Sequence, residues 1–317
     1  MATNFFNTTD YSGESAGKYI GAALLSANTI ENGGVTVMPN VKYRSTIKKV
    51  DTDNLIADAS CDFEATGDIT LTDRAIEPKE LQVNAVLCRK DFRDDYNSIT
   101  MGYSVYDTLP PNFQEFIIAR MLGHVAEATE TQLFQGSGAA LSGTFQGYNP
   151  ILAAAVVAGD VPAAQALTGT TIDASNVIAQ LGTIVDALPS RLYGKESLKI
   201  YIPQNVARAY VRALGGFGSG GYGAAGTNAQ GTQWYGMGSG LSFDGVPLFV
   251  CNGQASNKIF ATTSDNLYFG TGLQSDAQEV KLIDMSQFDG SQNMRFVMRY
   301  TAGVQVGVLE DVVTYGL

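Results

Sequence analysis

Residues 42–50 carry Lys42, Arg44, Lys48 and Lys49 without one acid, and residues 51–73 carry Asp51, Asp53, Asp58, Asp62, Glu64, Asp68 and Asp73 without one base. Two blocks of opposite charge laid end to end are poor material for a core, because buried charges must be paired. The surroundings are strand-like. VKYRSTIKKV (41–50) alternates in part, residues 69–72 and ELQVNAVLC (80–88) supply returning strands, and Leu81, Val83, Ala85 and Leu87 share a face. The pattern predicts a long hairpin over 41–90 that leaves the body and reaches over a neighbour, where its separated charges meet opposite ones. The plainer alternative, a solvated loop whose charges face water, stays open on the sequence alone.

The segment before the hairpin, 1–40, is polar with spaced aromatics at Phe5, Phe6, Tyr11 and Tyr19. It reads as an extended arm that contributes little to a core and anchors its rings on a partner. After the hairpin, Pro110 and Pro111 introduce the strongest helix in the chain, 112–135. Asn112 is placed to cap it with Glu115 as reciprocal partner, and Gly136 to stop it. Phe113, Ile117, Met121 and Val125 recur at spacing four, with Phe116, Leu122 and Leu133 extending the stripe. At 1.5 Å per residue the helix is a rod of roughly 36 Å. His124, the single histidine, lies beside that stripe and reads as a packing residue.

Residues 137–170 read as loops and short pieces. A second helix is expected over 173–188, with Val177, Leu181, Ile184, Val185 and Leu188 inward and Pro189 ending it. A strand at 198–202 and a helix from Pro203 to Leu214 follow. The stretch 215–240 then holds eleven glycines, with Trp234 and Tyr235 as candidate anchors on a neighbour. The closing third alternates as strands at 246–250, 258–262, 266–269, 279–283, 294–300 and 304–309. Helices followed by strands make this an α+β protein.

Enzyme chemistry finds few residues to work with. One histidine, in the middle of a packed helix, cannot serve a Ser-His-Asp triad or a two-histidine metal site. No Gly-x-Ser-x-Gly elbow occurs, and the glycine run lacks the lysine of a phosphate-binding loop. Cys61, Cys88 and Cys251 are far apart and form no zinc spacing, so reduced thiols and an intracellular site of synthesis are expected. Neither a secretion signal nor an apolar run long enough for a membrane is present. No catalytic residue, metal or cofactor is expected. The formal net charge of −11 and the missing basic cluster argue against a grip on nucleic acid.

The order of arm, charged hairpin, long helix after a Pro-rich entry, α/β unit with a Gly-rich loop, and closing strands resembles the major capsid protein of tailed bacteriophages, the HK97-like capsid fold. TTSDNLYFGTGL and EVKLIDMSQFDGSQNMRFVMRYTAGVQV carry the resemblance most strongly. It implies an N-terminal arm (1–40), an extended loop (41–90), a peripheral domain with a spine helix (91–189 and 278–302) and an axial domain (190–277 and 303–317). It implies many copies of the chain, as hexamers and pentamers, forming an icosahedral head around double-stranded DNA without reading its sequence. Its partners would be a portal and a separate scaffolding or decoration protein, and its location the virion, after synthesis in the host cytoplasm. No Lys–Asn cross-link partner can be matched. An encapsulin-like shell around cargo enzymes is the runner-up, and a soluble α/β enzyme the alternative from another class. The residues expected at subunit contacts are Phe5, Phe6, Tyr11, Tyr19, Lys42, Arg44, Lys48, Lys49, Asp51, Asp53, Asp58, Asp62, Glu64, Trp234 and Tyr235.

Overall fold

The computed structural model describes residues 9–12, 28–41, 43–52, 69–88, 111–139, 142–215, 241–272 and 279–317; for 9–12, 51–52, 111–116, 215, 279 and 287 it describes the backbone alone. In chain order the first elements are β1 (Thr9–Ser12), α1 (Asn28–Glu31), β2 (Thr36–Pro39), β3 (Ser45–Thr52), β4 (Ile69–Ile76) and β5 (Lys79–Cys88). Then come α2 (Pro111–Gln135), α3 (Tyr148–Ala158), β6 (Ala166–Leu167), α4 (Val177–Asp186), β7 (Leu198–Pro203) and α5 (Gln204–Gly215). The last are β8 (Ser242–Phe243), β9 (Val246–Cys251), β10 (Ile259–Thr263), β11 (Leu267–Thr271), β12 (Glu279–Asp284), α6 (Ser286–Asp289), β13 (Asn293–Val306) and β14 (Val313–Tyr315).

The first sheet runs β1-β12-β13-β11-β2, with β5 also paired to β13. Its axis is β13, whose alternation is clean: Met294, Phe296 and Met298 are fully buried, while Arg295 and Arg299 face out. Separate strands were expected at 294–300 and 304–309, and they join into this one. The Ala302-Gly303 step that reads as a break is a crossing point. A Cβ on Gly303 would lie 2.9 Å from Pro78 Cα and 3.1 Å from the Glu77 carbonyl, so only glycine lets the β4–β5 turn pass.

The second sheet, β6-β14-β10-β7-β9-β8, is a wall between two cores. Period-two alternation sends Ile200, Ile202, Ile259, Ala261, Val246 and Leu248 to one side, against α4 and α5. Tyr201, Phe260 and Cys251 point to the other, against α2, α3 and the first sheet. On that side Tyr201 and Phe260 stack at 4.9 Å, and Phe134 of α2 and Tyr148 of α3 close on Phe260 at 6.2 and 6.4 Å. Because the wall is shared, the cores do not divide at the expected boundaries. Helix α4, expected with the spine helix, packs in the second core, and β11, expected with the axial unit, belongs to the first sheet.

Helix α2 lays Ile117, Ile118, Leu122, Val125, Leu133 and Phe134 into the first core. It starts at Pro111, the position where a missing N–H costs nothing. Asn112, expected as the cap, therefore lies inside the helix. Gly136 ends it by close approach and not by a left-handed turn: a Cβ there would sit 2.1 Å from the Phe145 carbonyl. His124, expected to pack, is exposed on the outer face of α2.

Helix α3 falls where only loops were expected. Its sequence, YNPILAAAVVA, is apolar on every side and so shows no period to read. It is held by Tyr148 and Leu152, both fully buried, and ends at Gly159, whose φ of +83° suits glycine. Helix α4 buries Val177, Leu181, Ile184 and Val185 of the expected face, and Leu188 is buried just beyond its end. The segment 28–41, expected to contribute little to a core, contributes directly. Ile30 and Val35 are buried, β2 pairs in parallel with β11, and the Thr29 hydroxyl donates to buried Glu130 of α2 at 2.5 Å. Its isolated apolar residues were too few to give a pattern.

Candidate assembly surface

Strands β3 and β4 pair only with each other among the described residues, forming a two-stranded ribbon in register from Ser45↔Ile76 to Thr52↔Ile69. An isolated pair of strands has two faces and no sheet to cover both. One face carries Ser45, Ile47 and Lys49 with Arg74 and Ile76, all at least partly covered by the chain's own body. The other carries Lys48 and Val50 with Ile69, Leu71 and Asp73, all exposed. Val50 stands directly across from Leu71 and Lys48 across from Asp73. The outer face is thus an apolar patch, Val50, Ile69 and Leu71 at 59, 63 and 70% exposure, bordered by one cation and one anion.

The inner face meets the body. Ile76 is fully buried, and a Cβ on Gly270 of β11 would lie 2.8 Å from its Cδ1. Arg74 enters a groove beside Asp160; burial pulls its guanidinium below the ordinary value, and Asp160 pulls it back up. Lys49 Nζ donates to both carboxylate oxygens of Glu310 at 2.9 Å. Arg44 lies 3.6 Å from Glu77, both well exposed.

Of the contact residues expected from sequence, Lys48 therefore faces outward, whereas Lys49 and Arg44 are engaged within their own chain. Adjacent lysines on a strand must point to opposite faces, so Lys48 and Lys49 lie on different faces of the ribbon. Phe5, Phe6, Tyr19, Lys42, Asp53, Asp58, Asp62, Glu64, Trp234 and Tyr235 lie outside the described residues, as do the side chains of Tyr11 and Asp51. Sequence reasoning missed Val50, Ile69 and Leu71, which the alternation would have placed together had the register been known. It also missed Glu310, 261 residues from its partner, for which no local signal exists.

The first sheet presents a second exposed surface. Its outward rows are Val86–Arg295–Ile283 and Asn84–Val297–Lys281, with Arg299 beside Gln82. Cations and aliphatic side chains thus alternate across three strands of a chain whose net charge is −11. Burial pushes the Cys251 thiol well above its usual range, with Glu130 adding to the shift, the wrong direction for a nucleophile. Among the described residues, no group of three or more His, Cys, Asp or Glu is placed to hold a metal ion, and no helix is long and apolar enough to cross a membrane.

This arrangement has counterparts among solved structures. A chain of the satellite phage P4 procapsid, in a structure that includes the size determination protein Sid, superposes with a TM-score of 0.55 at 9% identity, over 94% of this chain and 97% of that one. The capsid of an empty GTA particle gives 0.56 at 13% identity, over 91 and 89%. The chain has the phage capsid fold. A structure from Mycobacterium phage Bobi adds 0.53 at 12% identity, over 99 and 93%. The α+β, HK97-like architecture expected from the order of elements is therefore present. No protein-family model and no curated protein matches the chain.

Proposed function

We propose that this chain is a major capsid protein that assembles, as hexamers and pentamers of itself, into an icosahedral head enclosing double-stranded DNA. The observation that carries the reading is the capsid fold matched nearly end to end in both directions, so that little of either chain is left over for another task. The ribbon supports it. Its outer face exposes three adjacent aliphatic side chains that its own subunit leaves open, a combination that marks a contact with another molecule. A neighbouring copy can cover it with the outer face of the first sheet. There Val86, Val297 and Ile283 offer apolar area, and Arg295 offers charge opposite to the acidic block 51–73.

The acidic balance suits a wall that surrounds DNA without gripping its backbone. The role is structural and not catalytic, the location is the virion, and a portal and a scaffolding or decoration protein are the further partners. Negative-stain imaging of the purified protein is the test, with closed shells of uniform diameter expected. Nuclease-protected double-stranded DNA inside them would support the head, and a copurifying enzyme would favour a cargo compartment. Protein that stays monomeric at all concentrations would overturn the reading.

A further inference from the structure

Besides Arg74 in its groove beside Asp160, the inner face of the ribbon is held at two places of very different strength. At its base, Ile76 and Val41 are buried, and Gln305 Nε2 donates to the Ala75 carbonyl at 2.8 Å. Lys49 lies four residue pairs further out than Ser45↔Ile76, about 14 Å along the strand at ~3.4 Å per residue. There the ribbon is clasped by Glu310, which lies in a 3-10 turn, Leu309–Asp311, on the crossing from β13 to β14. The carboxylate is itself positioned. Arg191 approaches it at 4.0 Å, donates to the Glu310 carbonyl at 3.1 Å, and donates from Nε to Asp311 Oδ1 at 2.6 Å. Lys49, Glu310, Arg191 and Asp311 thus alternate in sign from the ribbon to the loop before β7.

We infer that Lys49 and Glu310 form a salt-releasable latch that holds the ribbon against its own subunit until a neighbouring copy takes it. The base is a packed pivot, and the clasp is the partly solvated Lys49–Glu310 ion pair, with Lys49 at 23% and Glu310 at 48% side-chain exposure. Pairs of this kind shift an equilibrium by no more than about five-fold, weak enough for an intersubunit contact to replace. Salt weakens them further, since the screening length falls from about 10 Å at 0.1 M to about 3 Å at 1 M. The latch stands on this subunit's geometry alone; its release on assembly rests on the proposed function.

Carbodiimide cross-linking, which condenses an amine with a carboxylate in contact, tests both halves when read by peptide mass spectrometry on the wild-type chain. Unassembled subunits at about 0.1 M salt are expected to give an intrachain Lys49–Glu310 link, with a several-fold lower yield at about 1 M and in assembled particles. Glu310→Gln removes the link and lowers the concentration at which assembly begins. Absence of the link in low-salt subunits overturns the latch. Equal yields in subunits and particles, or unchanged onset for Glu310→Gln, overturn its release. If the chain forms no particles under any condition, the assembly reading fails and the release with it, while the low-salt link still decides whether the latch exists.

Discussion

Replacing Leu71 by serine separates folding from assembly more sharply than any change in the core. Full burial of a leucine side chain is worth about 1.5–3 kcal/mol. Leu71 is 70% exposed in the subunit, so most of that gain, about 1–2 kcal/mol, is still to be made when a neighbour covers the ribbon. At 1.4 kcal/mol per factor of ten, each contact weakens by roughly five- to thirty-fold. The term recurs at every equivalent contact of a closed shell. The subunit itself loses nothing it had, and surface substitutions of this kind stay within about 0.5 kcal/mol. Light scattering across a concentration series should show Leu71→Ser beginning to assemble only at clearly higher concentration, with an unchanged subunit Tm. Thr70→Ala, one residue away on the other face, should behave as wild type. A Leu71→Ser variant that assembles at the wild-type concentration would refute the assignment of the outer face, and a lowered Tm would mean that Leu71 is covered within the subunit.

Phe260→Ala should cost about 3–5 kcal/mol in urea denaturation, about a fifth or more of an ordinary domain's stability; a loss below about 1 kcal/mol would mean that Phe260 does not tie α2 and α3 to the second sheet. Hydrogen bonds from Ser175 hold the Asp173 carboxyl below its usual value, so its contribution to α4 is present above the unfolded carboxylate pKa and lost as pH falls through the folded value. Asp173→Ala should therefore lower Tm at neutral pH, with a gap from wild type that closes in acid; a gap of equal size in acid would show that charge is not the cause.

How much could be read in advance depended on whether the pattern was local. Helix α4 and strand β5 announce themselves because one face is apolar and the other is not. Helix α3 does not, because Ile151–Ala158 is apolar all round and carries no phase. The joined strand β13 was hidden by Gly303, whose purpose is the passage of Pro78, a residue 225 positions away. The charge split at 42–73 singled out the stretch that forms the β3–β4 ribbon, but β5, expected as a returning strand of the same hairpin, pairs with β13 in the first sheet, and composition cannot say which charges face out. That needed the register Lys48↔Asp73, and with it Lys48 and Lys49 part company.

The position of the latch couples the ribbon to the rest of the subunit. Its pivot, Ile76, packs on β11 in the first sheet, while its clasp, Glu310, sits on the chain as it leaves that sheet for β14 in the second. A rotation of the ribbon by about 10° about its base, over an arm of about 14 Å, moves Lys49 by about 2.4 Å. That nearly doubles a separation now at 2.9 Å and ends the hydrogen bonding, which fails beyond about 3.5 Å. Small changes between the two sheets are therefore enough to open the clasp, without disturbing the buried residues at the pivot. A packed base gives the ribbon a fixed origin, and the partly solvated Lys49–Glu310 pair leaves its direction to be decided by whichever surface, its own or a neighbour's, offers more.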